Sequence, residues 1–397
     1  MKHPYKWFIA AAAILAGCSK PGMLDEVLGR GEIVYPGKAD TVIVNGGKER
    51  LELIWTTTDS RITHYRVFWN NGSDSAEVNA AHGHDQLSDT TRFLLERLPE
   101  ARYVFNVVSF DASGNRSIKA EAEGATYGNM FRNALLNRGL RRAVVAPGGD
   151  AELDWMPADS LENITTLRYT DNAGATQTVQ VSPADLQTTL ANYKSGTPFS
   201  YSTAYRPEKS ALDTFYAKTE TAVSLVPVDK STFSPLMLPG DAGTAWGWIL
   251  PYLWDDNIAE GRGYHTPDLN LPQHFNFDLG VTVELREMKW WQRQGATNIF
   301  NGGNPKRLEV WGSNNPSPDG SYTGWTLIQD CRSVKPSGAA VGTITQQDAD
   351  YAAAGELFKF PEGTPPYRYI RIKILERWST TSRNIHMMEV SFWAKPF

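Results

Sequence analysis

Arg368-Tyr369-Ile370-Arg371-Ile372-Lys373-Ile374 is the stretch on which the reading of this chain turns. Ile370, Ile372 and Ile374 alternate with Arg371 and Lys373. A period of two marks a strand with one apolar and one wet face. Similar runs stand on either side of it. Phe275-Asn276-Phe277-Asp278-Leu279-Gly280 and Leu308-Glu309-Val310-Trp311-Gly312-Ser313 come before. Glu389-Val390-Ser391-Phe392-Trp393 comes after, with Val390 and Phe392 alternating with Glu389 and Ser391. Short alternating strands of this kind predict an antiparallel sandwich.

Working outward, the 397 residues leave room for two to four domains. Hydrophobic residues make up 41% and charged residues 21%, the balance of packed cores rather than a disordered chain. Net charge is −5, with no long basic run, which argues against nucleic acid as a partner. Thr, Tyr, Trp and Gly abound and long helical periodicities are scarce, so the expected class is all-β. The two cysteines, Cys18 and Cys331, are too few for a disulfide framework. Cys331 follows Trp325, Leu327 and Ile328 and reads as a small core or loop residue rather than a nucleophile.

At the N-terminus, Lys2 and Lys6 precede an apolar run from Trp7 to Leu15, and Leu15-Ala16-Gly17-Cys18 follows. That is the grammar of a secretory signal peptide, with a core too short for a permanent span. The Leu-Ala-Gly-Cys ending resembles the lipoprotein box. By that resemblance Cys18 is lipidated, becomes the first mature residue and anchors the chain in a membrane, since two or more acyl tails hold stably. Residues 1–18 are then the signal segment and 19–31 a tether.

Residues 32–128 and 129–231 read as two related modules. Arg50-Leu51-Glu52-Leu53-Ile54-Trp55 is echoed by Asp150-Ala151-Glu152-Leu153-Asp154-Trp155. His64-Tyr65-Arg66-Val67 is echoed by Thr166-Leu167-Arg168-Tyr169. Asn70-Asn71-Gly72 and Asp171-Asn172-Ala173-Gly174 supply turns. A Trp on an early strand beside Tyr-bearing strands is the core plan of small sandwiches, so Trp55 and Trp155 are expected inside. Both modules resemble fibronectin type III domains, an immunoglobulin-like sandwich fold. With VYPGKAD at 34–40, the pair is also similar to the N-terminal half of lipoproteins from Bacteroidetes-type bacteria. His82, His84 and Asp85 lack a third anchor for a metal and read as a loop. Arg132, Arg138, Arg141 and Arg142 read as a solvated face of helical character.

FDLG at 277–280, NPKRLEVWGSNN at 304–315, GWTLI at 324–328, RYIRIKI at 368–374 and MEVSFW at 388–393 occur in the order of the discoidin-like family. Residues 232–397 resemble that family, also called the coagulation-factor type C domain. The resemblance implies a galactose-binding-like jelly roll shared with bacterial carbohydrate-binding modules. Nine of the thirteen tryptophans lie here, more than one core needs. Sugar C–H faces stack on exposed rings, while hydroxyls need polar partners nearby. Three loops are candidates: 253–266, 293–301 and 376–384. By resemblance, the ligand site would take Tyr264, His265, Arg293, Asn298, Trp378 and Arg383. The same resemblance implies a structural calcium on Asp255, Asp256 or Asn257 with Glu389; oxygen-rich loops suit that ion. The alternative at 255–257 is a plain Asx turn.

No Gly-x-Ser-x-Gly, His-Glu-x-x-His or phosphate loop occurs. The expectation is a non-catalytic, lipid-anchored glycan-binding protein of the cell envelope, at the outer membrane, with two spacer modules. The alternative is an adhesion or interaction lipoprotein whose partner is an envelope protein. Cys18→Ala should leave the precursor unprocessed or release it from the membrane. Unchanged partitioning into the detergent phase would sink the anchor.

Overall fold

The computed structural model describes residues 34–81, 88–295 and 297–396. Cys18, the tether up to Gly31 and the His82, His84 and Asp85 group lie outside them. The chain divides into two compact units. One runs to Ala134 and includes 206–214; the other holds 135–205 and 215–397.

The first unit is a seven-stranded sandwich. β1 (Val42–Gly47), β2 (Arg50–Thr57) and β5 (Asp89–Glu96) form one sheet; β4 (Asp74–Asn79), β3 (Ile62–Trp69), β6 (Arg102–Asp111) and β7 (Ala120–Ala125) form the other, in those orders. Along β2, Leu51, Leu53, Trp55 and Thr57 point inward while their neighbours stay half-exposed, as period-two alternation requires. Trp55 is fully buried, edge-on to Tyr65 at 5.1 Å. Tyr103 donates from its hydroxyl to the Pro99 carbonyl at 2.9 Å, the corner contact of such sandwiches. The predicted turn at Asn70-Asn71-Gly72 joins β3 to β4, with all three residues in the left-handed region. Segment 206–214 belongs to this unit because Asp213 grips Arg50 at 2.7 and 3.0 Å and Glu208 accepts from Gly46 N–H at 2.7 Å.

The second module repeats that topology, so the hundred-residue echo in sequence is an echo in structure. β8 (Leu140–Val145), β9 (Ala151–Trp155) and β12 (Gln187–Leu190) face β11 (Thr176–Val181), β10 (Glu162–Thr170) and β13 (Pro198–Tyr205). β14 (Phe215–Tyr216) and β15 (Glu220–Val223) pair with β13. Trp155 is fully buried, edge-on to Tyr201 at 5.6 Å.

The basic segment before this module departs from expectation. Arg132 sits in a short helix, α1 (Asn129–Ala134), and is exposed. Arg138, however, is buried. It donates to the carbonyls of Met156 at 2.9 Å and Ser182 at 3.0 Å, and lies over Trp155. A guanidinium carries five donors, so it goes inside only where carbonyls converge on it.

The last module has a four-stranded sheet: β16 (Val226–Pro227), β26 (Glu389–Ala394), β20 (Leu285–Trp291), β23 (Glu356–Lys359). Its five-stranded sheet is β17 (Ser234–Leu236), β19 (Gln273–Val283), β24 (Tyr367–Arg377), β21 (Pro305–Ser313), β22 (Thr326–Arg332). A small ribbon pairs β18 (Tyr264–His265) with β25 (His386–Met387). The core between the sheets holds Phe275, Phe277, Met288, Trp290, Val310, the three isoleucines of β24, Val390 and Phe392. Cys331 is buried in it, and burial pushes its thiol up to about 12. α2 (Gln346–Ala354) starts on a capping box of Thr345 and Asp348.

One expectation for β24 needs correction. Arg371 was placed on a wet face but is fully buried. The loop leading to β22 folds over it. Carbonyls of Gly320 and Ser321 accept at 3.1 and 3.2 Å, Asn276 Oδ1 accepts at 2.6 Å, and Tyr322 and Trp325 stack at 4.6 and 4.5 Å. Lys373, one alternation further, stays half-exposed.

The second and last modules share their unit through Arg142. It pairs with buried Glu287 at 2.8 Å and lies over Trp393 at 5.2 Å. Arg142→Ala leaves Glu287 buried without its cation, a loss of roughly 3 kcal/mol. Calorimetry should show the transition of this unit moving to lower temperature in that variant. An unshifted transition would mean the pair contributes nothing.

Candidate functional site

The site is built around one side chain. Asn304 is fully buried at the start of β21. Its Oδ1 accepts from Arg293 N–H at 2.9 Å and faces His386 Nδ1 at 2.9 Å. Its Nδ2 donates to the Asn298 carbonyl at 2.8 Å. Gly303 N–H donates to His386 Nε2 at 3.0 Å, so that nitrogen is the acceptor and Nδ1 carries the proton toward Asn304. Burial, with help from His265 and Arg293, pushes the His386 imidazole down to about 3.

His265 lies one strand away, paired with His386 across the β18–β25 ribbon. It is buried, its Nδ1 is 2.9 Å from the Thr266 carbonyl, and burial lowers its pKa. Trp246 meets it edge-on at 4.4 Å and Trp248 at 5.4 Å. Over Trp248, at 5.0 Å, sits the Arg293 guanidinium, which a two-pronged pair with Glu260 holds in place.

The rings differ in what they show to solvent. Trp248 is buried, whereas Trp246 is 67% exposed. Trp246 also has φ +54°, and Gly247 after it has φ +77°. A tryptophan in the left-handed region costs about 1–2 kcal/mol. So held, the Trp246 indole faces solvent beside the His265 imidazole, and the guanidinium and carboxylate stand at Trp248 next along the chain. This is an aromatic platform with directional polar neighbours.

The six residues singled out for ligand contact fall in three settings. His265, Arg293 and Asn298 come together around Asn304. Asn298 donates from its Nδ2 to the Gln294 carbonyl at 2.9 Å, which shapes the 293–301 loop. Arg383 is exposed and reaches Asn270 Oδ1 at 3.4 Å, while its carbonyl ties down Leu269 N–H at 3.0 Å. Tyr264 and Trp378 lie apart from that cluster. Tyr264 is buried against Phe275 at 4.6 Å, with its hydroxyl donating to the Ala242 carbonyl. Trp378 is half-buried, edge-on to Phe300 at 5.1 Å, and donates from Nε1 to Ser333 Oγ at 3.1 Å. Both rings serve packing. Trp246, Glu260, Asn304 and His386 had no role in the sequence reading. Of these only Trp246, in Trp-Gly-Trp, offered a signal.

The expected calcium ligands do not form a cage. Asp255 accepts from Asn257 N–H at 3.1 Å and pairs with Arg262. Asn257 Oδ1 accepts from Ala259 N–H at 2.9 Å. These are Asx turns. Between Asp256 and Glu389 sits the Lys230 ammonium, 2.6 Å from one and 2.7 Å from the other. Among the described residues no group of three or more His, Cys, Asp and Glu is placed to hold a metal ion.

Comparison with known proteins gives two family matches, each to a domain of unknown function: DUF4998 over residues 18–215 and DUF5000 over 254–394. No curated protein matches the chain. Among solved structures, a SusE-like protein is 34% identical over 42% of this chain and 99% of its own, at TM-score 0.41. A CBM32 module from a family 31 glycoside hydrolase of Clostridium perfringens is 16% identical over 43% and 95%, at 0.32. The two-domain fibronectin type III segment of chicken tenascin is 16% identical over 46% and 97%, at 0.20. The stretch aligned with that SusE-like protein is 42% of this chain, and a third of its positions are identical.

The neutral His386 makes stability depend on pH. In the unfolded chain it titrates near ~6.5, in the fold near about 3. Between those values the unfolded chain binds more protons. The contribution is therefore full above ~6.5 and is lost as pH falls, approaching ~1.4 kcal/mol per pH unit. His386→Gln should be destabilised at neutral pH, and its melting temperature should close on that of the wild type by pH ~4.5. A gap that stays constant with pH would refute the assignment.

Proposed function

We propose that this chain is a non-catalytic, lipid-anchored glycan-binding protein of the cell envelope, whose two fibronectin III-like modules space the last domain from the membrane. The observation that carries the reading is Trp246. An exposed indole held in strained backbone beside His265, with the Arg293–Glu260 pair at the neighbouring Trp248, suits a pyranose. The ring stacks under the sugar's C–H face, and the charged pair addresses hydroxyls in defined directions.

The anchor rests on Leu15-Ala16-Gly17-Cys18 and on the family match that starts at residue 18. On this reading the protein sits at the outer membrane. Among the described residues no helix is long and apolar enough to cross a membrane.

A single sugar ring has roughly 12 non-hydrogen atoms. At ~0.3 kcal/mol for each, the affinity is of order 1 mM, so useful binding needs several sites or an extended chain. The mature protein on a glycan array should bind a subset of glycans. Trp246→Ala should abolish that binding and leave the fold intact, since the ring is outside the core. Arg293→Ala should weaken it about tenfold and relax discrimination at one hydroxyl. Trp378→Ala should instead lower the melting temperature. If Trp246→Ala binds like the wild type, the platform is elsewhere. If the array is blank while an envelope protein binds the same face, the ligand is a protein.

A further inference from the structure

We infer that Lys230 is the resident cation of the last domain, a tethered ammonium in the position a divalent ion would otherwise fill. Its Nζ lies 2.6 Å from Asp256 Oδ1 and 2.7 Å from Glu389 Oε1. Glu389 is buried at the head of β26, with its side chain 3% exposed. A carboxylate so placed needs a counter-charge within contact distance, or it is strongly destabilising.

Lys230 supplies that charge from the short turn 230–232, which Asp229 caps by accepting from Ser231 N–H at 2.9 Å. The four-carbon stem is itself mostly buried, with 15% of the side chain exposed. Asp256 stands at φ +58° at the far side of the ammonium, and its neighbour Asp255 is turned toward Arg262. The three carboxylates therefore meet two side-chain cations instead of one metal. The arm to Asp256 is exposed to water and weak; the arm to Glu389 is the structural one.

The domain that results is complete without metal. The reading does not depend on what Trp246 binds, and its test involves no glycan. The full mature chain is melted in a calorimeter with a chelator, with calcium chloride at ~5 mM, and without either. The expected result for the wild type is one and the same melting temperature in all three. Lys230→Ala should melt several degrees lower, and calcium should restore part of the loss, because the freed carboxylates then take up the ion. A wild-type transition that falls with chelator overturns the inference, and this arm needs no variant. So does a Lys230→Ala protein that melts like the wild type. A variant that is destabilised yet indifferent to calcium also overturns it, since the lysine would be an ion-pair partner and not a metal's replacement. Should Lys230→Ala fail to fold, Lys230→Met with Glu389→Gln removes both charges. Recovery of a folded, calcium-insensitive protein supports the inference, and continued failure to fold counts against it.

Discussion

The carboxamide of Asn304 is the constraint on which the working end of the last domain depends. One buried oxygen serves the backbone of residue 293 and the imidazole of His386, and one nitrogen holds the carbonyl of residue 298. Two loops far apart in sequence are thereby pinned to a single point inside the protein. These bonds satisfy the carboxamide from within the protein. Every buried polar group in such a knot must find its mate, because an orphan costs far more than the bond contributes. The rigid part of the site lies below the surface. What reaches solvent, Trp246 above all, is carried on that base.

The same economy of polar groups governs the arginines. Arg138, Arg142 and Arg371 are drawn inward by carbonyls, a buried carboxylate and aromatic faces. Each ends a place where loops would otherwise leave acceptors unpaired. Arg371 shows it most clearly: the loop over the five-stranded sheet delivers two carbonyls and two rings to one guanidinium. The outer face of that sheet is consequently half covered.

Much of the architecture was legible because it rests on periodicity. Ile370, Ile372 and Ile374 line the core as their spacing says, and the Leu-x-Trp echo marks two modules of one topology. β4 and β7 escaped notice because their residues are mostly polar and small. The site was legible in part. His265, Arg293 and Asn298 lie together, but the sequence does not tell an exposed tryptophan from a half-buried one. Trp246 and Trp378 differ in backbone conformation and in neighbours supplied from distant segments. Lys230 illustrates the same limit: its partner in β26 is 159 residues away.

That separation has a consequence for the order of events when the domain is made. Residues 226–230 enter the last domain and residues 389–394 complete it, and the two ends meet twice, in the β16–β26 pairing and in the lysine clasp. Closing a loop this long is entropically costly, though the cost grows only slowly with length. Until the ribosome has released β26, the four-stranded sheet lacks its second strand and β16 has no partner. The two fibronectin III-like modules precede it and have all their own strands. Synthesis therefore delivers two finished sandwiches first and a jelly roll that closes only at its last strand.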